Sequence, residues 1–498
     1  MNRRLKPAAF LALALAITII FTGCSSGKNN SSKASESSLS QTKKTGETLK
    51  TFSLPYTTTE NFNPLSPASN ANMVLWPLIY DCLCEPDANF NPVMRLAESV
   101  NSSGTTATIK LKSGVQFTDG SPLTAADVVY TFNAVRSNAN SPYYSRLANV
   151  SEVKGNGNTV TLTLITPDPL IANMLDIPII KADSDKNGNA IGTGRYKYSK
   201  SGTNAVLTKN PKWYNGNSSK FNKISLVNIP YSDAIMTSLA IGEINFVYSD
   251  DGTNSAASVP NTDTSPVNLN QLIYVGINAG KPHLSNAHFR RALSFSISRE
   301  LLVSQNYSNR AYPSAYPFNP KWSEISKIPQ KLSSDFDAVA AEMQQAGNTS
   351  GITLTLLVNQ ENPVRNNVAK YLASCFNKTG INVTVKSVPY EEYESLIKSG
   401  NFDMYLGEVR LSNNMDISPL LAAGGTAAFG TVPNSSTLSA FNDWRNGYKD
   451  IAYVADTFEA EMPFIPLCYR TGLTSYTKGL TGVQSMDNDV FFNFEKWK

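Results

Sequence analysis

The chain has 498 residues, 41% of them hydrophobic and 16% charged, with a formal charge of +4. That composition excludes a disordered polymer, a collagen-like fibre and a coiled coil, and the length allows about three domains with cores of their own. Arg3, Arg4 and Lys6 supply three of the positive charges, so the remainder is near neutral and lacks the basic surplus of a nucleic-acid binder.

Met1–Pro7 is a short basic segment, and Ala8–Phe21 is an apolar run of 14 residues broken only by Thr18. As a helix it spans about 21 Å, short of a hydrocarbon core of roughly 30 Å. A basic start, a short apolar stretch and small residues before a cleavage point form a secretory signal, expected over residues 1–23. Thr22-Gly23-Cys24 resembles the bacterial lipobox, with Phe21 where leucine is commonest. The resemblance implies lipidation of the Cys24 thiol, which makes Cys24 the new N-terminus. Residues 24–48 are then the acylated cysteine and a disordered tether. The stretch Ser25–Lys50 is rich in Ser, Asn and Lys and has no aromatic residue. Its five lysines outnumber Glu36 and Glu47, which suits an anionic membrane surface. The expected location is extracytoplasmic, lipid-anchored at the cell surface or in the periplasm.

The body alternates strand-like and helix-like segments, the pattern of an α/β fold. Thr106–Leu111 reads as a strand, and Val153–Ile165 as a hairpin broken by Gly155-Asn156-Gly157-Asn158. Thr124 followed by Asp127 is a capping-box start for a helix carrying Val128, Val129 and Phe132. Ile352–Val358 is a strand. A helix from Pro363 follows, with Val364, Val368, Tyr371, Leu372, Cys375 and Phe376 at helical spacing and Gly380 after its end. Ile381–Val388 is the next strand and Glu391–Lys398 the next helix, so a βαβ unit with parallel strands is expected. Cys82 and Cys84 lie too close in sequence for an unstrained bridge. With Cys375 and Cys468 they are expected as four buried free thiols.

Catalytic chemistry finds little support. The only histidines, His283 and His288, fit neither a metalloprotease helix nor a zinc finger. Lys378-Thr379-Gly380, and Ser151 with Lys154, mimic two β-lactamase elements, but the Ser-Asp-Asn element is absent. Asp183, Asp185, Asn187 and Gly188 begin like a calcium loop, yet its twelfth position is Gly194, so a polar turn is expected. No Walker loop or dinucleotide fingerprint occurs. No catalytic residue, cofactor or resident metal is expected.

The run Lys112-Ser-Gly-Val-Gln-Phe-Thr-Asp-Gly-Ser-Pro-Leu-Thr-Ala-Ala-Asp-Val-Val-Tyr-Thr-Phe132 resembles the signature of family 5 extracellular solute-binding proteins, the peptide- and nickel-type receptors of ABC importers. Further blocks agree in order: Asn63-Pro64 with Leu78–Leu83, Gly192–Lys197, Asn210–Tyr214 leading to Gly242–Ile244, Phe289–Leu293 with Ser298–Glu300, Phe402–Met404 and Ile465–Leu467. The resemblance implies an α/β, two-lobed periplasmic-binding-protein fold with two hinge crossings and an extra α/β domain in the first lobe. The first lobe would combine residues 49–76, 192–272 and 466–498, the extra domain 77–191, and the second lobe 273–465. The crossings would lie near Gln271–Val275 and Pro463–Cys468. Hinge closure would trap the ligand and present a composite face to the permease.

In peptide-binding members an aspartate after Phe-Asp-Met fixes the peptide's ammonium and a tryptophan lines a pocket. Here Val409 stands for the tryptophan and Ser412 for the aspartate. Arg410 suits a carboxylate or phosphate, and Glu408 is an alternative ammonium partner. Ser69 and Asn70 match positions that touch peptide backbone, and Tyr274 at the crossing is a candidate to stack on the ligand. The expected function is a lipid-anchored, monomeric receptor delivering peptides to an ABC permease. The alternatives are the same receptor for a metal chelate, oligosaccharide or anionic small molecule, and a hydrolase or chaperone on this scaffold.

Overall fold

The protein is represented by a computed structural model that describes residue 49 and residues 51–498, apart from 59, 61, 188, 230, 231, 251–258 and 348. The secretory signal, Cys24 and the tether up to residue 48 lie outside the described residues, as does Gly188 of the polar turn.

Apolar side chains collect into two large cores, one for each lobe of a two-lobed α/β fold. The first gathers residues from Phe52 to Phe246 and again from Tyr476 to Trp497. The second gathers residues from Leu272 to Tyr469, together with Phe90. The chain passes between them along two strands, Thr262–Ile277 and Ile465–Thr477, which pair antiparallel from Thr262 opposite Thr477 to Val275 opposite Ile465. Their register shifts between Asn268 and Gln271 and again between Ile273 and Tyr274. Leu467, Cys468 and Tyr469 pack in the second core and Tyr476 in the first. The second change of lobe therefore falls after Tyr469, past the expected Pro463–Cys468. Ile465–Tyr469 is buried on both faces, so no alternation in the sequence reveals which core receives it.

In the first lobe, Phe52–Tyr56 pairs parallel with Lys223–Asn228, and Asn204–Lys209 and Tyr196–Ser201 extend the sheet antiparallel. A second antiparallel sheet has the order Ala97–Ser103, Thr106–Leu111, Thr159–Leu164, Val150–Asn156. Its hairpin turns tighter than expected: Gly155 and Asn156 stay in the strand, and Gly157 takes the positive φ of +57°. The helix Ala125–Arg136 packs against this sheet, and its start is set by the capping box, with the Thr124 N–H donating to the Asp127 carboxylate at 2.9 Å. Ile109, Val128, Phe132 and Val160 join the first core, so the extra sheet shares the apolar interior of the first lobe.

Gly192 and Gly194, in one of the blocks that carry the resemblance, have a steric role. A Cβ at Gly194 would stand 2.3 Å from the Ile79 carbonyl carbon, and one at Gly192 2.3 Å from its oxygen. Close approach of two backbones, with φ outside the left-handed region, demands glycine there.

The second lobe contains the expected βαβ unit. Thr353–Asn359 pairs parallel with Asn382–Val388 and with Met404–Arg410. The helix Pro363–Asn377 joins the first two, capped by Asn362 onto the Arg365 N–H at 3.1 Å. Val368, Leu372, Cys375 and Phe376 are buried. Cys82, Cys84, Cys375 and Cys468 are free and buried.

The lobes also meet through the extra domain. The turn between Cys84–Pro86 and Pro92–Met94 carries Phe90 into the second core. Asn173, fully buried, donates to the Phe90 carbonyl at 2.8 Å and the Asn413 carbonyl at 3.3 Å. Asn414 donates to Asp168 at 2.6 Å, and Arg445 to the Pro167 carbonyl at 3.1 Å.

Candidate functional site

Met404–Arg410 runs antiparallel to the first crossing strand, ending with Arg410 opposite Gln271. Burial fades along it: Met404–Gly407 are buried, Glu408 and Val409 half-buried, and Arg410 exposed. Strand alternation sends Glu408 and Arg410 to one face and Val409 to the other, where it packs on the second core.

Glu408 is gripped from two sides. Arg365, in the first turn of the helix Pro363–Asn377, and Arg470, on the second crossing strand, both donate to its carboxylate. The side chains of Arg365, Glu408 and Arg470 are only 18%, 11% and 13% exposed. Burial lowers the pKa of Arg365. One carboxylate against two guanidiniums leaves a surplus of one positive charge.

Arg410 shows the converse. It forms an ion pair with Asp487, and its Nη1 lies 3.8 Å from Asp250 Oδ2. The Asp487 carboxylate raises the pKa of Arg410 against the opposing effect of burial. Two carboxylates against one guanidinium leave a surplus of one negative charge. The two groups touch, because Arg470 Nη1 also donates to the Asp250 carbonyl at 2.6 Å. Tyr248, two residues before Asp250, has a buried hydroxyl with no hydrogen-bond partner among the described residues. Burial raises its pKa, with Asp487 and Asp250 adding to the effect.

Opposite charge surpluses thus stand two residues apart on one strand, about 7 Å along its axis. Such an arrangement can bind a solute bearing both charges. Among the described residues, no group of three His, Cys, Asp or Glu side chains could hold a metal ion.

The other expected site residues are dispersed. Ser69 precedes the short helix Asn70–Met73, with its N–H donating to Glu60 at 2.8 Å and its hydroxyl to Thr57 at 3.2 Å. Asn70 is exposed and lines an apolar cavity that Tyr248 also lines. Ser412 donates to the Asn414 side chain at 2.6 Å, and its carbonyl accepts from Asn270 at 2.9 Å. Tyr274 stands apart from these groups. It is 3% exposed, edge-on to Tyr405 and Phe464, with its hydroxyl 3.1 Å from that of Tyr405, so its ring fills the second core. Arg365, Arg470, Asp250 and Asp487 were not expected. For Asp250, the acidic pair Asp250-Asp251 is a signal that a reading of the sequence could use.

Comparison with known proteins agrees with this architecture. Residues 91–429 match the family described as "Bacterial extracellular solute-binding proteins, family 5 Middle". The chain is 25% identical to the oligopeptide-binding protein AppA of Bacillus subtilis, over 100% of this chain and 99% of that one. Its fold is similar to that of the ABC transporter substrate-binding protein CtaP of Listeria monocytogenes, with a TM-score of 0.72 and 20% identity, covering 90% of this chain and 98% of the other. It is also similar to NikZ of Campylobacter jejuni in complex with Ni(L-His), with a TM-score of 0.63 and 20% identity, covering 90% and 99%. With two lobes joined by two crossing strands and a family match over most of its length, the chain belongs to family 5 of the bacterial extracellular solute-binding proteins, non-catalytic receptors of the peptide- and nickel-type ABC transporters.

Proposed function

We propose that the protein is a peptide receptor, lipid-anchored through Cys24, which closes its two lobes over the peptide and hands it to an ABC permease. The observation that carries the peptide reading is the paired charge surplus of the site. Arg365 and Arg470 exceed Glu408 by one positive charge, and Asp250 and Asp487 exceed Arg410 by one negative charge. A free peptide is a zwitterion, and one of two residues, extended over about 7 Å, satisfies both, while a longer one brings only one charged end to the site. Likeness to an oligopeptide-binding protein along the whole chain supports the same cargo. Closure follows from the position of the site, since Arg410 belongs to the second lobe while Asp487 precedes Phe491 of the first core. A ligand held by both sides gains its full contacts only when the lobes approach, and that difference favours the closed form.

Native mass spectrometry of residues 25–498, before and after mild denaturation, tests the cargo. A released peptide mixture is expected. A single non-peptide mass, a nickel chelate or a sugar, would overturn the peptide reading. For the anchor, Cys24→Ala should move the protein from the membrane fraction to the soluble fraction; retention in the membrane would refute lipidation at Cys24.

A further inference from the structure

A cavity of about 100 Å³ lies in the first lobe beside the charged site. Leu54, Val74, Phe246 and Phe491 give it apolar walls, and Tyr248 and Asn70 are polar-tipped members of its lining. An apolar cavity of about 150 Å³ holds a benzene ring. A space one third smaller takes a side chain of valine or leucine size and excludes an indole.

The chain ties this cavity to the acidic half of the site in two places. Asp250 follows the strand Phe246–Ser249 two residues after the cavity residue Tyr248, whose hydroxyl lies within electrostatic reach of both Asp487 and Asp250. Asp487 precedes the cavity residue Phe491 by four positions in the C-terminal segment. Both carboxylates share the single guanidinium of Arg410. They are 31% and 14% exposed, so a further cation can reach them. In the second lobe, Ser412 offers an ammonium no charge, and Glu408 is already held by two arginines.

We infer that this cavity is the subsite for the first side chain of a bound peptide, that it selects small aliphatic residues, and that Asp250 and Asp487 of the first lobe take the peptide's free ammonium. The inference rests on the peptide reading above. An extended N-terminal residue has its ammonium and its side chain on one α-carbon, so the two sites must lie side by side, as they do here. Burying an aliphatic side chain in such a cavity is worth about tenfold to a hundredfold in affinity.

The test uses residues 25–498 and peptide libraries two to eight residues long with a fixed first residue, read by native mass spectrometry and calorimetry. Libraries beginning with leucine or valine should bind at least tenfold more tightly than those beginning with glycine or tryptophan, and N-acetylation should remove at least tenfold. Asp487→Asn should make free and acetylated peptides bind alike, and Ala71→Phe, which fills the cavity, should abolish the preference for leucine over glycine. Equal binding of free and acetylated peptides, or of leucine and tryptophan libraries, would overturn the inference and leave the peptide reading standing. Failure of every peptide library would overturn both. The comparison of libraries on the unaltered protein decides the matter even if a variant fails to fold.

Discussion

Arg410 and Asp487, 77 residues apart in sequence, form an ion pair that joins a strand of the second lobe to the C-terminal segment of the first. Arg410 is 47% exposed, and a pair as open as this stabilises a protein by less than about 1 kcal/mol. Its effect therefore falls on the spacing of the lobes. Arg410→Ala should leave the urea midpoint nearly unchanged while raising the radius of gyration of the ligand-free protein in small-angle scattering. An unchanged radius would mean that the pair does not restrain the lobes.

Glu408 behaves differently, because its surroundings are largely buried. Glu408→Gln leaves Arg365 and Arg470 facing each other without their shared anion, and breaking a buried pair from one side costs about 3 kcal/mol or more. Urea unfolding should report that loss. Replacing all three residues by apolar ones of similar volume should recover most of it, and a triple variant as unstable as the single one would refute the electrostatic account.

The first lobe holds a second charged group whose titration reaches the pH of natural surroundings. Burial pushes the Glu85 carboxyl from the ordinary 4.5 up to about 7, with Asp489 adding to the rise and Arg95 opposing it. Arg95 itself keeps its proton firmly, since Glu85 and Asp489 both favour its charge. Asn488 donates to Glu85 at 3.0 Å. The unfolded chain releases this proton near pH 4.5 and the folded chain only near 7. In that window the folded state holds more protons, so this group's contribution to stability falls as pH rises from 4.5 to 7 and then levels. Denaturant unfolding across that range should show the decline, and Glu85→Gln should flatten it. The same slope in both proteins would place the titration elsewhere.

Phe90 links the extra domain to the second core, where it is 5% exposed. Truncation of a buried phenylalanine costs about 3–5 kcal/mol. Phe90→Ala should lower the unfolding free energy by that order and speed hydrogen exchange at Asn413 and Asn414, whose partners Asn173, Asp176 and Asp168 lie in the same domain. Loss of stability with unchanged exchange at those residues would mean that Phe90 does not brace the loop.

Much of the fold was legible because it depends on neighbours in sequence. The capping box at Thr124, the strand Thr106–Leu111 and the helix from Pro363 with its flanking parallel strands are local patterns, and the structure bears them out. The reading weakened where one segment meets another. The second change of lobe was misplaced because Ile465–Tyr469 is apolar on both faces. Gly192 and Gly194 stand in a block that marks the family, and the need for glycine there comes from the distant backbone of Ile79. Tyr274 suited a ligand contact by its place at a crossing, and only packing put its ring into the second core.

By itself, then, the sequence determined the α/β alternation, the βαβ unit and the order of blocks that marks the family. Each of these follows from residue spacing along the chain. The tertiary structure decided how charges are paired. Glu408 meets partners 43 and 62 residues away and Arg410 one 77 residues away. Coulombic attraction depends on distance in space, and separation along the chain carries no record of it.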